Sequence, residues 1–233
     1  MESNLDMIKN FVRAATVAAA LSLGVTANAS AATINLAADT ANQQFEILWT
    51  LAIPDPAVTL TALGQFTASV TDTFIDFTIT MNNQTAALSE QIHSFGFNIN
   101  PDGTSVTNVV AGSNFANANR EQNLPSIDTN IDVCIWATNN CSGGAQGPNL
   151  DGGDSDTISF RLNGNFSNGA TLDTFGIKFQ GERDSYEFEG NTPPNGENPP
   201  PNGENPPTSV PEPTSMVLVG LGLASVLGAR RRN

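Results

Sequence analysis

The stretch TFIDFTITM, residues 73–81, alternates apolar and polar side chains with a period of two. Its apolar positions are Ile75, Phe77, Ile79 and Met81, and the positions between them are Asp76, Thr78 and Thr80. Successive side chains of a β-strand point to opposite faces, so this pattern predicts a strand with one face in the core and the other in water. The dipeptide Thr71-Asp72 separates it from a second alternating stretch, AVTLTALGQFTASV, which predicts a tight hairpin.

The same alternation recurs along the central part of the chain. It is found in HSFGFNI, IDVCIWAT, DTISFRL and TFGIKFQ, and further strands are predicted at 44–51, 104–110 and 185–189. About nine short strands separated by Gly, Asn, Asp and Pro turns predict an all-β domain, residues 32–190, built as a single antiparallel β-sandwich. In this domain we expect Ile131, Val133 and Ile135 to share one core face and Trp49 to be a core residue. Residues 110–126 have no strand pattern and are predicted to form a loop or a short helix.

The net charge limits the classes of partner. The chain has 23 Asp and Glu against 9 Lys and Arg, a formal net charge of −14. Such a chain repels phosphate backbones and anionic lipid surfaces, which argues against nucleic-acid binding.

The first residues have the layout of a secretory signal peptide, 1–31. Lys9 and Arg13 form a basic start, 14–25 an apolar core, and Ala27-Asn28-Ala29 or Ala29-Ser30-Ala31 a small-residue cleavage site. We therefore expect signal peptidase to act on the chain and the mature protein to leave the cytoplasm. Export favours a local disulfide between Cys134 and Cys141, the only two cysteines of the chain. With a single His they fall short of a tetrahedral zinc site.

The composition changes abruptly after the domain. Residues 191–209 contain PNGENPP twice in tandem, and such a polar, Pro-rich repeat is typical of an extended spacer. The segment 210–233 then has three parts in order: Pro211-Glu212-Pro213, the apolar run 216–229, and the cluster Arg230, Arg231 and Arg232. The apolar run is barely long enough to cross a bilayer as a helix, and the arginines favour a cytoplasmic end.

Together with the signal peptide, this end resembles the PEP-CTERM sorting signal of bacteria that make exopolysaccharide. The resemblance implies that a membrane-embedded exosortase recognises Pro211, Glu212 and Pro213, with 216–229 as a short transmembrane segment and the arginines as a retention cluster. It further implies a transient membrane anchor, followed by processing and delivery to the cell surface or extracellular matrix. A plain C-terminal membrane anchor is the alternative.

The domain carries a second resemblance. SFGFNINP (94–101), CIWATNNCSGG (134–144) and GIKFQG (176–181) are similar to phrases of the cysteine-pair PEP-CTERM proteins known as the cistern family. This resemblance covers most of 60–190. It implies export and fold, and no particular activity.

Two candidate sites lie in loops. In LDGGDSDTISF, the carboxylates of Asp151, Asp154 and Asp156 lie close together around two glycines and could supply oxygen ligands to Ca²⁺. The spacing is not that of an EF-hand, and a polar turn leading into a strand is the simpler interpretation, so no cofactor is predicted apart from this candidate calcium ion.

Trp136 has the opposite parity to Ile131, Val133 and Ile135, so its indole is expected to face outward beside Asn139 and Asn140. These three residues could bind a sugar, such as an exopolysaccharide, or the indole could cover the neighbouring loop or the disulfide.

No catalytic motif stands out. Asp128 and Asp132 could form the carboxylate pair of a glycan hydrolase, but acidic residues are so abundant that such a pair is expected by chance. A catalytic triad would need His93, which more often has a structural role beside a strand. The sequence therefore predicts a non-catalytic exported protein, structural or adhesive, with a carbohydrate-binding module as the main alternative.

Overall fold

The computed structural model describes residues 32–54, 57–86, 89–143, 147–181 and 184–193. These residues form eleven strands: β1 Ile34–Leu36, β2 Gln43–Pro54, β3 Ala57–Val70, β4 Phe74–Asn83, β5 Gln91–Asn100, β6 Ser105–Val110, β7 Asn117–Leu124, β8 Asp128–Trp136, β9 Ser155–Asn163, β10 Ala170–Gln180 and β11 Ser185–Glu189. No helix occurs in the described ranges, and so none there could cross a membrane. The predicted signal peptide, both PNGENPP repeats and the segment 210–233 lie outside the described residues.

The strands form two antiparallel sheets, which confirms the predicted all-β fold. Sheet I has the order β1-β10-β5-β8-β7, and β11 also pairs with β10; sheet II has the order β2-β3-β4-β9-β6. The β3–β4 hairpin forms as predicted, because the Thr71 N–H donates to the Phe74 carbonyl oxygen at 2.9 Å. Nine of the eleven strands coincide with predicted ones.

The prediction of a loop or short helix at 110–126 is wrong, because β7, Asn117–Leu124, lies within that segment. This strand pairs with β8 at the end of sheet I. Its half-buried positions include Arg120 and Gln122, so the apolar alternation that identifies the other strands is missing. An edge strand can form without that signal, since only one of its sides is paired and little of it reaches the core.

The core lies between the two sheets and is rich in phenylalanine. Phe66 and Phe77 of sheet II contact Phe97 of sheet I, with ring centroids 6.2 and 5.4 Å apart. Phe45 and Phe66 also contact Phe175 of β10. Trp49 is fully buried, as predicted, and its Nε1–H donates to the Phe175 carbonyl oxygen at 2.9 Å. Aromatic packing and this hydrogen bond therefore join the sheets.

The outer side of sheet I carries a second, smaller cluster. It consists of Leu124, Ile131, Cys134 and Cys141, with Ile127 and Trp136 packed against it. The prediction that Ile131 shares the face of Val133 and Ile135 is therefore wrong, since those two residues belong to the main core. The backbone ladder between β5 and β8 ends at the Phe97–Val133 pair, so the strict alternation of β8 need not continue to Ile131.

The chain enters and leaves the described domain at one edge of sheet I. β1 and β11 both pair antiparallel with β10, through Ile34–Leu172 and Glu189–Gly176 respectively. The first residue of β1 and the last residue of β11 therefore approach the same part of β10. Any tether that follows β11 starts at this edge.

Candidate functional site

The predicted disulfide loop lies on the outer side of sheet I. Cys134 of β8 and Cys141 are at disulfide distance, with Cα atoms 6.2 Å apart, and no free cysteine occurs among the described residues. The Ser94 hydroxyl donates to the Cys141 carbonyl oxygen at 2.7 Å. His93 is fully buried, with its Nε2 3.0 Å from the Asn140 carbonyl oxygen and its Nδ1 3.1 Å from Asn149 Oδ1. The loop is thus held down on β5 by His93 and Ser94.

The candidate sugar-binding residues are close to this loop. Trp136 ends β8, and its half-buried indole packs against the cluster that contains the disulfide. Asn139 and Asn140 are exposed, and Asn139 has a positive φ of 61°. The Asn140 side chain accepts a hydrogen bond from the Ser142 hydroxyl at 2.8 Å. The indole therefore packs on the cluster that includes the two cysteines and presents only part of its surface to solvent.

The three candidate calcium ligands have different surroundings. The Asp156 carboxylate is buried and accepts three backbone N–H groups, from Ser113, Asn114 and Phe115, at 2.7 to 2.8 Å. Asp151 accepts a hydrogen bond from the Gln91 side-chain amide, and Asp154 is exposed. Among the residues that the structure describes, no three His, Cys, Asp or Glu side chains form a group that could hold a metal ion. Calcium binding stays an untested alternative to the polar turn that the sequence favours.

The backbone amides around Asp156 show what this carboxylate does. Asp156 belongs to β9, whereas Ser113, Asn114 and Phe115 belong to the loop that leads into β7. Three charge-assisted hydrogen bonds satisfy both carboxylate oxygens and three N–H groups of a loop at once. Asp156 therefore fixes the loop between β6 and β7, a role that sequence reasoning missed because the partners are more than 40 residues away along the chain.

Asp128 and Asp132 connect strands. The Asn98 side-chain amide donates to Asp128 at 3.0 Å, and the Ile99 N–H donates to Asp132 at 2.9 Å. Hydrogen bonds, first from Asn98 and then from the Asn130 backbone, lower the pKa of Asp128. Burial raises the pKa of Asp132, and the Ile99 hydrogen bond offsets this only in part. Both carboxylates thus extend the contact between β5 and β8 past the end of its backbone ladder.

A buried ion pair on the same sheet was not predicted. Lys178 of β10 donates to Glu187 of β11, and the two side chains are only 10% and 5% exposed. The second Glu187 oxygen accepts the Ser126 N–H at 2.6 Å. Burial acts to raise the pKa of Glu187, but the hydrogen bonds from Lys178 and Ser126 outweigh it and hold the pKa below its usual value. Local sequence could not reveal the pair, since alternation predicts Lys178 as an exposed position.

The predicted sorting residues, Pro211 to Pro213 and Arg230 to Arg232, lie outside the described residues. Comparison with curated proteins and with solved structures finds no match for this chain. The family model for the PEP-CTERM protein-sorting motif matches residues 209–232, which contain all six of these residues. The chain therefore carries a PEP-CTERM sorting motif, which implies export and exosortase-dependent sorting to the cell surface.

Proposed function

We propose that this chain is a non-catalytic exported protein that acts at the cell surface or in the exopolysaccharide matrix, in a structural or adhesive role. The observation that carries the proposal is the sorting motif at 209–232, which lies outside the β-domain. In this account signal peptidase removes 1–31, the segment 216–229 holds the chain in the membrane for a time, and an exosortase then processes it.

The arrangement of the chain supports this order of events. The last bridge of the described domain is formed by Asn191, and the two PNGENPP repeats separate it from the motif. Pro-rich, polar sequences favour extended conformations and seldom supply core residues. In this proposal the spacer would keep the folded domain clear of the membrane and leave Pro211, Glu212 and Pro213 accessible to a membrane enzyme.

The test is processing in the producing cell. Replacement of Pro211, Glu212 and Pro213 by Ala in the full chain is expected to leave an unprocessed protein in the membrane fraction, detected by immunoblot. Thr208→Ala, outside the matched residues, is the matched control and should be processed like the wild type. Processing and release of the triple variant at the wild-type level would contradict the proposal.

Carbohydrate binding at Trp136 is a second candidate. It is favoured by the exposure of Asn139 and Asn140 next to an indole that is only half-buried. Added polysaccharide should then change the tryptophan fluorescence, and Trp136→Ala should abolish the change. Trp49→Phe provides the control, because Trp49 is fully buried and should contribute no ligand-dependent signal. A change that persists in Trp136→Ala would reject this site.

Glycan hydrolysis is the remaining alternative. It would require turnover of a polysaccharide that stops in Asp128→Asn or Asp132→Asn. Both carboxylates accept hydrogen bonds from β5, so a loss of stability must be separated from a loss of turnover by measuring unfolding of the same variants.

A further inference from the structure

The outer side of sheet II carries several Thr and Ser hydroxyl groups in a regular arrangement. We call it the hydroxyl face and define it by Thr67, Thr78, Thr80, Thr157 and Ser159, which alternate with buried core residues on β3, β4 and β9. The register aligns them in rows across the sheet. One row contains Thr67, Thr78 and Ser159, and the next contains Gln65, Thr80 and Thr157.

Neighbouring hydroxyls within a row are hydrogen-bonded. Thr78 Oγ1 lies 2.9 Å from Ser159 Oγ, and Thr80 Oγ1 lies 2.8 Å from Thr157 Oγ1. Each hydroxyl has one donor and two acceptor positions, so each pair still offers a donor and several acceptors to a ligand. Adjacent strands lie about 4.8 Å apart, and alternate residues of a strand about 6.7 Å apart. The face is therefore a regular two-dimensional array of hydrogen-bonding groups.

The hydroxyl face is nearly neutral in a chain whose net charge is −14. The acidic side chain of Asp76, on this face, is neutralised by Arg161 through two hydrogen bonds of 2.7 and 2.8 Å. The Arg161 guanidinium also stacks 3.5 Å above the Phe74 ring, which fixes its position. Glu46 pairs with Gln65 at the end of the second row and accepts a hydrogen bond from that neutral amide at 2.9 Å; it is in none of the ion pairs of the described residues, so one acidic side chain stays uncompensated at this edge. A neutral polymer can approach this surface, whereas a polyanion is repelled by the charge of the whole chain.

An apolar edge adjoins the array. Val110 pairs with Ser159 at the end of the first row, and Val109 and Val110 are 38% and 65% exposed, the large hydrophobic residues exposed in the described part of the chain. A register shift between Thr107 and Val110, with Asn108 at a φ of 53°, marks a bulge in β6. Bulges at sheet edges are often retained because they redirect side chains.

We propose that the hydroxyl face, together with Val110, binds a neutral polysaccharide chain. Sugar hydroxyls would exchange hydrogen bonds with the Thr and Ser rows, and the apolar C–H side of a ring would lie against Val110. Many weak contacts repeated along a polymer give useful total affinity. This inference rests on the proposed function in one respect: delivery to the cell surface or matrix is what would bring the protein into contact with a polysaccharide.

The test is affinity electrophoresis of the purified full chain through gels containing hydroxyethyl-cellulose or dextran, both neutral, or alginate, an anionic polyuronate. The wild type should be retarded by a neutral polymer and not by alginate. Thr78→Val combined with Thr157→Val keeps side-chain shape and strand propensity, and should weaken retardation about tenfold. Val110→Thr should also weaken it. Thr129→Val, an exposed position on β8 of the other sheet, is the matched control and should bind normally.

Several results would overturn the proposal. These are wild-type mobility unchanged by both neutral polymers, retardation by alginate alone, or unchanged retardation of the Thr78→Val, Thr157→Val variant. Sedimentation tests whether the face binds a second copy of the chain instead. If the wild type self-associates, the variant does not, and glycan changes the mobility of neither, the face is a contact between two copies. The measurement uses purified protein, so it is independent of whether the sorting motif is processed.

Discussion

Leu48 and Asn191 form an isolated antiparallel bridge in which each N–H donates to the other's carbonyl oxygen, at 2.8 and 2.9 Å. Leu48 belongs to β2 at the edge of sheet II, whereas Asn191 follows β11 of sheet I. The bridge and the neighbouring hydrogen bond from Trp49 to Phe175 therefore connect the two sheets at the point where the chain leaves the domain.

Gly190 is expected to be essential for this closure. A Cβ at this position would lie 2.6 Å from Ile47 Cγ2 and 2.6 Å from Trp49 Nε1, both of which are in the core. We expect Gly190→Val to lower the free energy of unfolding by about 1–3 kcal/mol, measured by denaturant titration. Gly153→Asn is the control, because nothing lies within 4 Å of its added Cβ and Asn tolerates the positive φ. Equal stability of the Gly190 variant and the wild type would contradict this packing.

Asp156→Asn tests the loop anchor. An amide has one oxygen acceptor and would present an NH₂ donor to at least one of the three backbone N–H groups that the carboxylate now accepts. We expect a loss of about 2–4 kcal/mol in the free energy of unfolding. Asp154→Asn, at an exposed position of the same segment, should change it by less than about 0.5 kcal/mol.

The Asp154→Asn variant also decides whether this segment binds calcium. Because backbone amides occupy Asp156, we expect added CaCl₂ to leave the Tm of the wild type unchanged. A rise in Tm that Asp154→Asn abolishes would instead establish the calcium loop considered from the sequence.

The pair of Lys178 and Glu187 predicts a specific pH dependence. The folded-state pKa of Glu187 is lowered, so the pair stabilises the fold above the ordinary glutamate pKa of about 4.3, and this stabilisation is lost as the pH falls through the lowered value. Asp132, whose pKa is raised, contributes with the opposite sign. Comparison with Glu187→Gln separates the two contributions.

Glu187→Gln should cost about 3 kcal/mol at pH 7, because it leaves a buried Lys178 without its counter-charge. Its stability should then fall less steeply than that of the wild type on acidification below about pH 4.3. Glu189→Gln, exposed in the same strand, is the control and should keep the wild-type profile. Parallel profiles for wild type and Glu187→Gln would contradict the role given to the pair.

Reduction of the disulfide should have a moderate effect. Cys134 and Cys141 are seven residues apart. Closing this ring lowers the conformational entropy of the unfolded chain and so stabilises the fold by about 2.5 kcal/mol. We expect dithiothreitol to lower the Tm of the wild type and to have no effect on Cys134→Ser combined with Cys141→Ser. A Tm that is insensitive to reduction would show that the contacts of His93 and Ser94 hold the loop without the bond.

Alternation predicted those strands that bury one apolar side, as in β4, where Ile75, Phe77, Ile79 and Met81 are all buried. It failed for β7, whose half-buried side is polar, and for β1, which has only three residues. It also misplaced Ile131, since the end of the β5–β8 ladder is a property of two strands together.

The candidate site was less accessible to sequence reasoning. The anchoring of Asp156 and the pairing of Lys178 with Glu187 depend on contacts made only when separate segments fold together. The hydroxyl face did leave a signal, in the alternating Thr78 and Thr80 of β4 and Thr157 and Ser159 of β9. The sequence alone does not show that these residues form rows, because the rows depend on the pairing of β4 with β9.

Intact mass spectrometry of the protein recovered from its producing cells tests the central claim most directly. Export, oxidation and sorting together predict a chain that begins near 30–33, ends near 211–213 and is two hydrogens lighter than its sequence mass. A mature protein that still carries 216–233 would contradict exosortase processing and would make the tail a permanent membrane anchor.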